Sequence, residues 1–234
     1  GAWVNGRIEG EGKVTYPDGS VYEGSFKDDL QDGQGRITYP DGASYEGGWV
    51  AGVIEGKGVA RYANGLVYEG EFLAARQHGK GKMSYPDGYT YEGDWADGQR
   101  QGQGRATYAD GTVYEGSFEA GQRSGQGRLT MPDGFSYEGS WASGEIDGAG
   151  RATYANGDVY EGNFVHGKRQ GQGVMHYASG TEAAGEWSED RLTEAAVPAP
   201  EAAPPAPGAE ASGADTATPP AEAAAPVPAP APGN

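Results

Sequence analysis

Tyr91-Glu92-Gly93-Asp94-Trp95 opens a stretch that runs through Gly102-Gln103-Gly104-Arg105 to Tyr108-Ala109-Asp110-Gly111, and the pattern starts again at Tyr114. The same Tyr-Glu-Gly begins at Tyr22, Tyr45, Tyr68, Tyr137 and Tyr160, so the period is 23 residues without a slip. Self-similarity at a fixed period of this size marks a repeat architecture, in which each unit buries its apolar side only against its neighbours. An eighth Tyr-Glu-Gly would fall where Ala183-Ala184-Gly185 stands, with Trp187 in phase behind it, so the last repeat is degenerate. Terminal repeats are often atypical because they cap the array. At the other end Gly1-Ala2-Trp3 aligns with Gly47-Gly48-Trp49, which makes the first repeat truncated and leads us to expect a segment upstream.

Turn chemistry fixes what each unit is. Tyr16-Pro17-Asp18-Gly19 places Pro where φ near −65° is wanted and Gly where a left-handed residue is needed, which suits a three-residue hairpin loop. Strands therefore flank every such turn. Closing the loop pairs Tyr16 with Ser20, and stepping outward sets Val14 opposite Tyr22, Gly12 opposite Gly24, Gly10 opposite Phe26 and Lys13 opposite Glu23. Period-2 alternation divides the residues the same way, into an aromatic-and-glycine face and a polar face. The six residues between each Trp or Phe and the next Gly-x-Gly read as a loop. Paired glycines opposite the rings read as room for aromatics to lie flat on the backbone. On the polar face Lys13–Glu23 recurs as Arg36–Glu46, Lys82–Glu92, Arg105–Glu115, Arg128–Glu138 and Arg151–Glu161, with Val59–Glu69 the break. Such pairs fix register or simply keep a wet face soluble, and both readings stand.

The Trp/Phe position alternates strictly, from Trp3, Phe26, Trp49, Phe72 and Trp95 to Phe164 and Trp187, so the full period is 46 residues. Duplication of a two-repeat block and a packing requirement both account for it. From Glu194 the chain changes: 11 of the 15 prolines lie there, with no aromatic residue and no Lys or Arg. The expected organisation is a repeat array over residues 1–190 and a disordered Ala/Pro/Glu-rich tail over 191–234. The fold class is all-β: an elongated, twisted, single-layer array of about eight β-hairpin repeats.

Five of the 34 acids lie at or beyond residue 194, leaving 29 acids against 17 bases before it, a balance of −12. That sign opposes general attraction to nucleic acid. The absence of cysteine rules out disulfides and thiolate metal sites. His78, His166 and His176 occupy different registers of the repeat, and none has an obvious nucleophile partner. The Gly-x-Gly motifs lack the third glycine and the helix of a dinucleotide fingerprint, and one Asp per repeat is turn chemistry rather than a calcium site. No catalytic residue, cofactor or metal is therefore expected, and the chain reads as a non-enzyme.

The unit Tyr-Glu-Gly-x-Trp-x-x-Gly-x-x-x-Gly-x-Gly with its Asp-Gly turn resembles the MORN (membrane occupation and recognition nexus) repeat over residues 1–190. That resemblance implies twisted arrays of β-hairpins that scaffold proteins, often as homodimers, at membranes or cytoskeletal structures. It places a membrane-associated or cell-envelope location slightly ahead of free cytoplasm. It also carries a proposed affinity of the family for acidic phospholipids, whereas the kinase and methyltransferase domains that some members bear have no counterpart here. The preferred expectation is a self-associating protein-interaction scaffold, with a protein partner or a second copy on an aromatic surface of Tyr45, Trp49, Tyr68, Tyr91, Trp95, Tyr114, Tyr137 and Trp141, since a large exposed apolar face marks an interface. Packing of these rings on one another is the plainer alternative. A second expectation is a membrane-surface module whose lipid head-group contacts are Arg76, His78, Lys80 and Lys82, then His166, Lys168 and Arg169. Sugar stacking on the rings, as in a glycan or cell-wall binder, is a third.

Overall fold

The computed structural model describes residues 2–195, and the predicted tail falls outside them from residue 196 on. Every regular element among the described residues is an antiparallel β-strand. The chain divides into two compact units between Gly102 and Gln103. The first holds β1 (Ala2–Val4), β2 (Arg7–Thr15), β3 (Val21–Lys27), β4 (Leu30–Thr38), β5 (Ser44–Val50), β6 (Val53–Arg61), β7 (Val67–Leu73), β8 (Arg76–Ser84) and β9 (Thr90–Ala96). The boundary falls inside β10 (Gln99–Thr107). The second unit continues with β11 (Val113–Glu119), β12 (Gln122–Thr130), β13 (Ser136–Ala142), β14 (Glu145–Thr153), β15 (Val159–Val165), β16 (Lys168–His176), β17 (Glu182–Ser188) and β18 (Arg191–Ala195). The last strand lies beyond residue 190, because Leu192 keeps the alternation and pairs with Trp187.

The register derived from the Pro-Asp-Gly turn holds position for position: Val14 faces Tyr22, Lys13 faces Glu23, Gly12 faces Gly24 and Gly10 faces Phe26. Tyr16 N–H donates to the Ser20 carbonyl at 2.8 Å, Gly19 N–H to the Tyr16 carbonyl at 2.9 Å, and Asp18 accepts from Ser20 N–H at 2.9 Å. Gly19 takes φ +87°, the left-handed position the turn demands.

The other end of each hairpin differs from the expected six-residue loop. Lys27 pairs with Leu30, so only Asp28 and Asp29 form the connection, at φ 50° and 67°. Two consecutive left-handed residues make a type I′ turn, whose twist matches the strands it joins. Most equivalents carry the expected glycine, among them Ala51-Gly52, Asp97-Gly98 and Ser143-Gly144, whereas Asp28-Asp29, Ala74-Ala75 and Glu189-Asp190 do not. Those exceptions hide the signature. The remaining residues form a bulge: after Gly24 faces Gly35, the next pair is Phe26 and Gln31, leaving Asp32 to Gln34 across from Ser25 alone. Gly33 stands in the bulge at φ +102°. Bulges bend a strand and raise its twist, which re-aims the side chains beyond them.

Candidate interaction surface

The side chains that the sequence offers as an aromatic surface make up the core. Tyr45, Trp49, Tyr68, Tyr91, Trp95, Tyr114, Tyr137 and Trp141 are all between 0% and 5% exposed. Tyr22, Tyr45, Tyr68, Tyr114, Tyr137 and Tyr160 each lie over a glycine of the following strand; a Cβ on Gly35 would stand 2.1 Å from the Tyr22 hydroxyl, and one on Gly58 would stand 2.4 Å from that of Tyr45. Sunk to that depth, the hydroxyl needs a partner. It finds the carbonyl three residues on, from Tyr22 to Ser25 at 3.0 Å, Tyr68 to Glu71 at 2.9 Å and Tyr114 to Ser117 at 3.0 Å. Burial pushes these phenols up, well above the ordinary tyrosine range at Tyr45, Tyr68, Tyr91, Tyr114 and Tyr137 and to about 12 at Tyr160.

The rings touch edge to face in sequence. In the first unit Phe26, Tyr22, Trp49, Tyr45, Phe72, Tyr68, Trp95 and Tyr91 follow one another with centroids 5.0 to 5.7 Å apart. In the second, Phe118, Tyr114, Trp141, Tyr137, Phe164, Tyr160 and Trp187 do the same. Contacts of this geometry contribute about 0.5–1.5 kcal/mol each beyond the area they bury.

The Trp/Phe alternation has a packing correlate. Each buried indole Nε1 donates to a glycine carbonyl fourteen residues back, Trp49 to Gly35, Trp95 to Gly81, Trp141 to Gly127 and Trp187 to Gly173, at 3.1 to 3.3 Å. Phe has no donor to offer there. The residue opposite each Phe is long and polar: Gln31, Gln77, Arg123 and Arg169. Opposite Trp49, Trp141 and Trp187 stand Ile54, Ile146 and Leu192. Arg123 then lies over Trp141 at 4.5 Å and Arg169 over Trp187 at 4.7 Å, each covering the indole of the next repeat. The two-repeat packing cell is interrupted at Trp95, where Arg100 holds the place that Ile or Leu takes after the other buried tryptophans and lies over the Tyr91 ring instead. These covering residues are not found by the sequence reading, although a long polar residue five places after each Phe is visible there.

The exposed side is the polar face. Glu23 stands between Lys13 on β2 and Arg36 on β4, so each acid is flanked by two strands and the charges alternate along the sheet. Lys13 Nζ lies 2.6 Å from the Glu23 carboxylate and, with Arg36 behind it, holds that carboxyl below its ordinary range. An open groove of about 590 Å3 runs over Gly12, Gly24 and Gly35, walled by Glu11, Lys13, Glu23, Gln34, Arg36 and Glu46. Most of the basic groups picked out for lipid head groups are engaged with acids of the chain. Arg76 meets Asp97 at 3.7 Å, Lys80 meets Asp94 at 2.5 Å, and Lys82 stands in register with both Glu69 and Glu92. His166 is 2.7 Å from Glu145, which raises its pKa, and Lys168 pairs with Glu189. Arg169 holds Asp190 at 3.1 Å, and the half-buried His78 has its Nδ1 enclosed without a partner.

Among curated proteins none matches this chain. Among solved structures it is similar to the G-box domain of the microcephaly protein CPAP, at 14% identity and a TM-score of 0.47 over 76% of this chain and 93% of that one. It is also similar to the TCP10 domain of Danio rerio CPAP, at 16% identity and a TM-score of 0.39 over 78% and 85%. A third is the TCP domain of Drosophila melanogaster SAS-4 in complex with a proline-rich motif of Ana2, at 16% and 0.33 over 74% and 77%. Likeness at this level carries no inference about a ligand. The family model for the MORN repeat matches eight consecutive segments, 1–21, 22–44, 45–67, 68–88, 91–113, 114–136, 137–159 and 160–182. With its tyrosines, glycines and turns set out in phase with those segments, the chain belongs to the MORN repeat family.

Proposed function

We propose that this chain is a non-enzymatic protein-interaction scaffold that self-associates. The observation that carries the reading is the division of labour between the two faces. Aromatic side chains close the core, so partners meet the opposite face, where exposed charged and hydroxyl side chains repeat in rows and an open groove has a glycine floor. A surface of this kind suits an extended protein segment, which lays side chains into repeating positions and uses many modest contacts. Ion pairing within the chain supports this reading over lipid attraction, because a cation beside its own acid has little charge to lend to a phosphate.

Size-exclusion chromatography with light scattering, joined to chemical cross-linking and affinity capture, tests it. Concentration-dependent self-association, or capture of a protein that Lys13→Glu and Arg36→Glu weaken, is the expected result. A strict monomer that captures nothing overturns the reading. Salt-sensitive sedimentation with anionic vesicles would replace it by the membrane reading.

A further inference from the structure

Asparagine followed by glycine occurs three times in the chain, at Asn5-Gly6, Asn64-Gly65 and Asn156-Gly157. The pair is prone to deamidation, because the backbone nitrogen of a residue without a Cβ reaches the asparagine side chain with little hindrance. Asn64 and Asn156 occupy the place in the Asp-Gly turn that Asp18, Asp41, Asp87, Asp110 and Asp133 take in other repeats. There the side-chain oxygen accepts the N–H two residues on, at 2.8 to 2.9 Å for the aspartates, 3.2 Å for Asn64 and 3.0 Å for Asn156. That bond asks only for an acceptor, so a carboxylate serves it as well as an amide.

Asn156 has a second task. Its Nδ2 donates to the Asp158 carboxylate at 2.9 Å, and the other oxygen of that carboxylate accepts the Ala178 N–H of the following turn at 2.8 Å. Asp158 is only 7% exposed, so its charge depends on both donors. In its place after the five aspartates stand Ser20, Ala43, Tyr89, Thr112 and Phe135, and after Asn64 stands Leu66, none of them charged. The one acid at this position therefore follows an asparagine. Several other turns meet the next through carbon, since a Cβ on Gly19, Gly65 or Gly111 would stand 2.9 to 3.2 Å from the proline of the following turn. Ala178 replaces that proline and supplies the N–H that proline lacks.

We propose that Asn156-Gly157 is a deamidation site whose conversion unlatches the last two Asp-Gly-type turns from one another. Gly157 N gives up its proton and bonds to Asn156 Cγ, the Cγ–Nδ2 bond breaks, and ammonia leaves with that proton. Water then opens the cyclic imide at either carbonyl and leaves aspartate or isoaspartate at position 156. In the closed turn Gly157 N–H is committed to the Tyr154 carbonyl at 2.9 Å, so the reaction waits for the hairpin to open. Opening is favoured here because the adjoining repeat is the degenerate one, with Ala183 where the core tyrosine stands in the others. After conversion a carboxylate faces the buried Asp158 in place of an amide donor, and two like charges replace a hydrogen bond. The turn then no longer holds Asp158 against Ala178. At Asn64 the aspartate product stands two residues from Leu66, an arrangement of acid and uncharged residue that five other turns already use. Conversion is thus a one-way release at position 156 and, in its aspartate form, silent at position 64.

Peptide mapping by mass spectrometry on the full chain, aged in mildly alkaline buffer, tests the site, with hydrogen exchange to follow the hairpins. The exposed Asn5 serves as a clock, and the same chain unfolded in urea gives the unhindered rate at each asparagine. The expected result is conversion at Asn156 that lags Asn5 but accumulates. In converted chains the Ala178 amide exchanges at least about tenfold faster, the scale of one lost hydrogen bond to a charged acceptor. Asn156→Asp reproduces that exchange in fresh protein, whereas Asn64→Asp leaves its own hairpin as in the wild type. Adding Asp158→Ser to Asn156→Asp rebuilds the Asp18-Gly19-Ser20 order and returns the Tyr154 and Gly157 amides to wild-type exchange. An Asn156 that stays intact in the aged native chain while Asn5 converts overturns the site. An Ala178 amide as protected in Asn156→Asp as in the wild type overturns the latch, and a double variant that stays open overturns charge repulsion as its cause.

Discussion

A tyrosine buried to its hydroxyl needs a flat floor and an acceptor, and this repeat supplies both within a few residues. Tyr114 rests on Gly127, where a Cβ would stand 2.3 Å from its hydroxyl, and donates to Ser117. Gly127→Ala therefore displaces the ring and is expected to cost about 3 kcal/mol, the upper range for overpacking, read as a lower urea midpoint. Tyr114→Phe keeps the ring and leaves the Ser117 carbonyl without its donor, for a loss of about 1 kcal/mol. The turns work in the opposite direction. Ala75 sits at φ 62°, where a Cβ crowds the following carbonyl, so Ala75→Gly is expected to raise stability by about 1 kcal/mol in thermal denaturation.

At the scale of the strand, the charge row offers a natural test. Lys13, Glu23, Arg36 and Glu46 alternate from β2 to β5, then Val59 interrupts between Glu46 and Glu69. Val59→Lys completes the alternation and is expected to add about 0.5 kcal/mol at low salt, an effect that fades in 1 M salt as exposed pairs are screened. Register, the Pro-Asp-Gly turn and the partition of faces are readable from sequence because each follows from neighbours two to ten residues apart. The tight turn is less readable, since Asp28-Asp29, Ala74-Ala75 and Glu189-Asp190 hide the Gly-marked dipeptide that the other repeats show. The fate of the rings is not readable at all by alternation, which says that Tyr45 and Trp49 share a side but not whether that side is covered. Coverage depends on the bulge at Gly33 and its equivalents, and a bulge is two extra residues on one strand, invisible until the partner strand is known. For that reason the candidate surface moves from the rings to the polar face.

Across the whole molecule, the buried phenols tie stability to alkali. The folded chain keeps Tyr45, Tyr68, Tyr91, Tyr114 and Tyr137 protonated above the pH at which an unfolded chain releases those protons. More protons are then bound in the native state than in the unfolded one, so stability is complete below about pH 10 and falls as pH rises beyond it toward the folded values. The urea midpoint is expected to be level between about pH 8 and 9 and to drop steeply above about pH 10, more steeply than for a protein with one buried tyrosine. A midpoint that holds its level into that range would mean the hydroxyls reach solvent.

The edge-to-face succession of rings has one more consequence, which concerns light. Every repeat tyrosine from Tyr22 to Tyr91 and from Tyr114 to Tyr160 lies in a run that contains tryptophan, with neighbouring ring centres about one ring diameter apart. At such separations an excited phenol hands its energy to an indole before it can emit. The folded chain thus behaves as an antenna: ultraviolet absorbed along the tyrosine column leaves as tryptophan fluorescence, and tyrosine emission reports the loss of the stack.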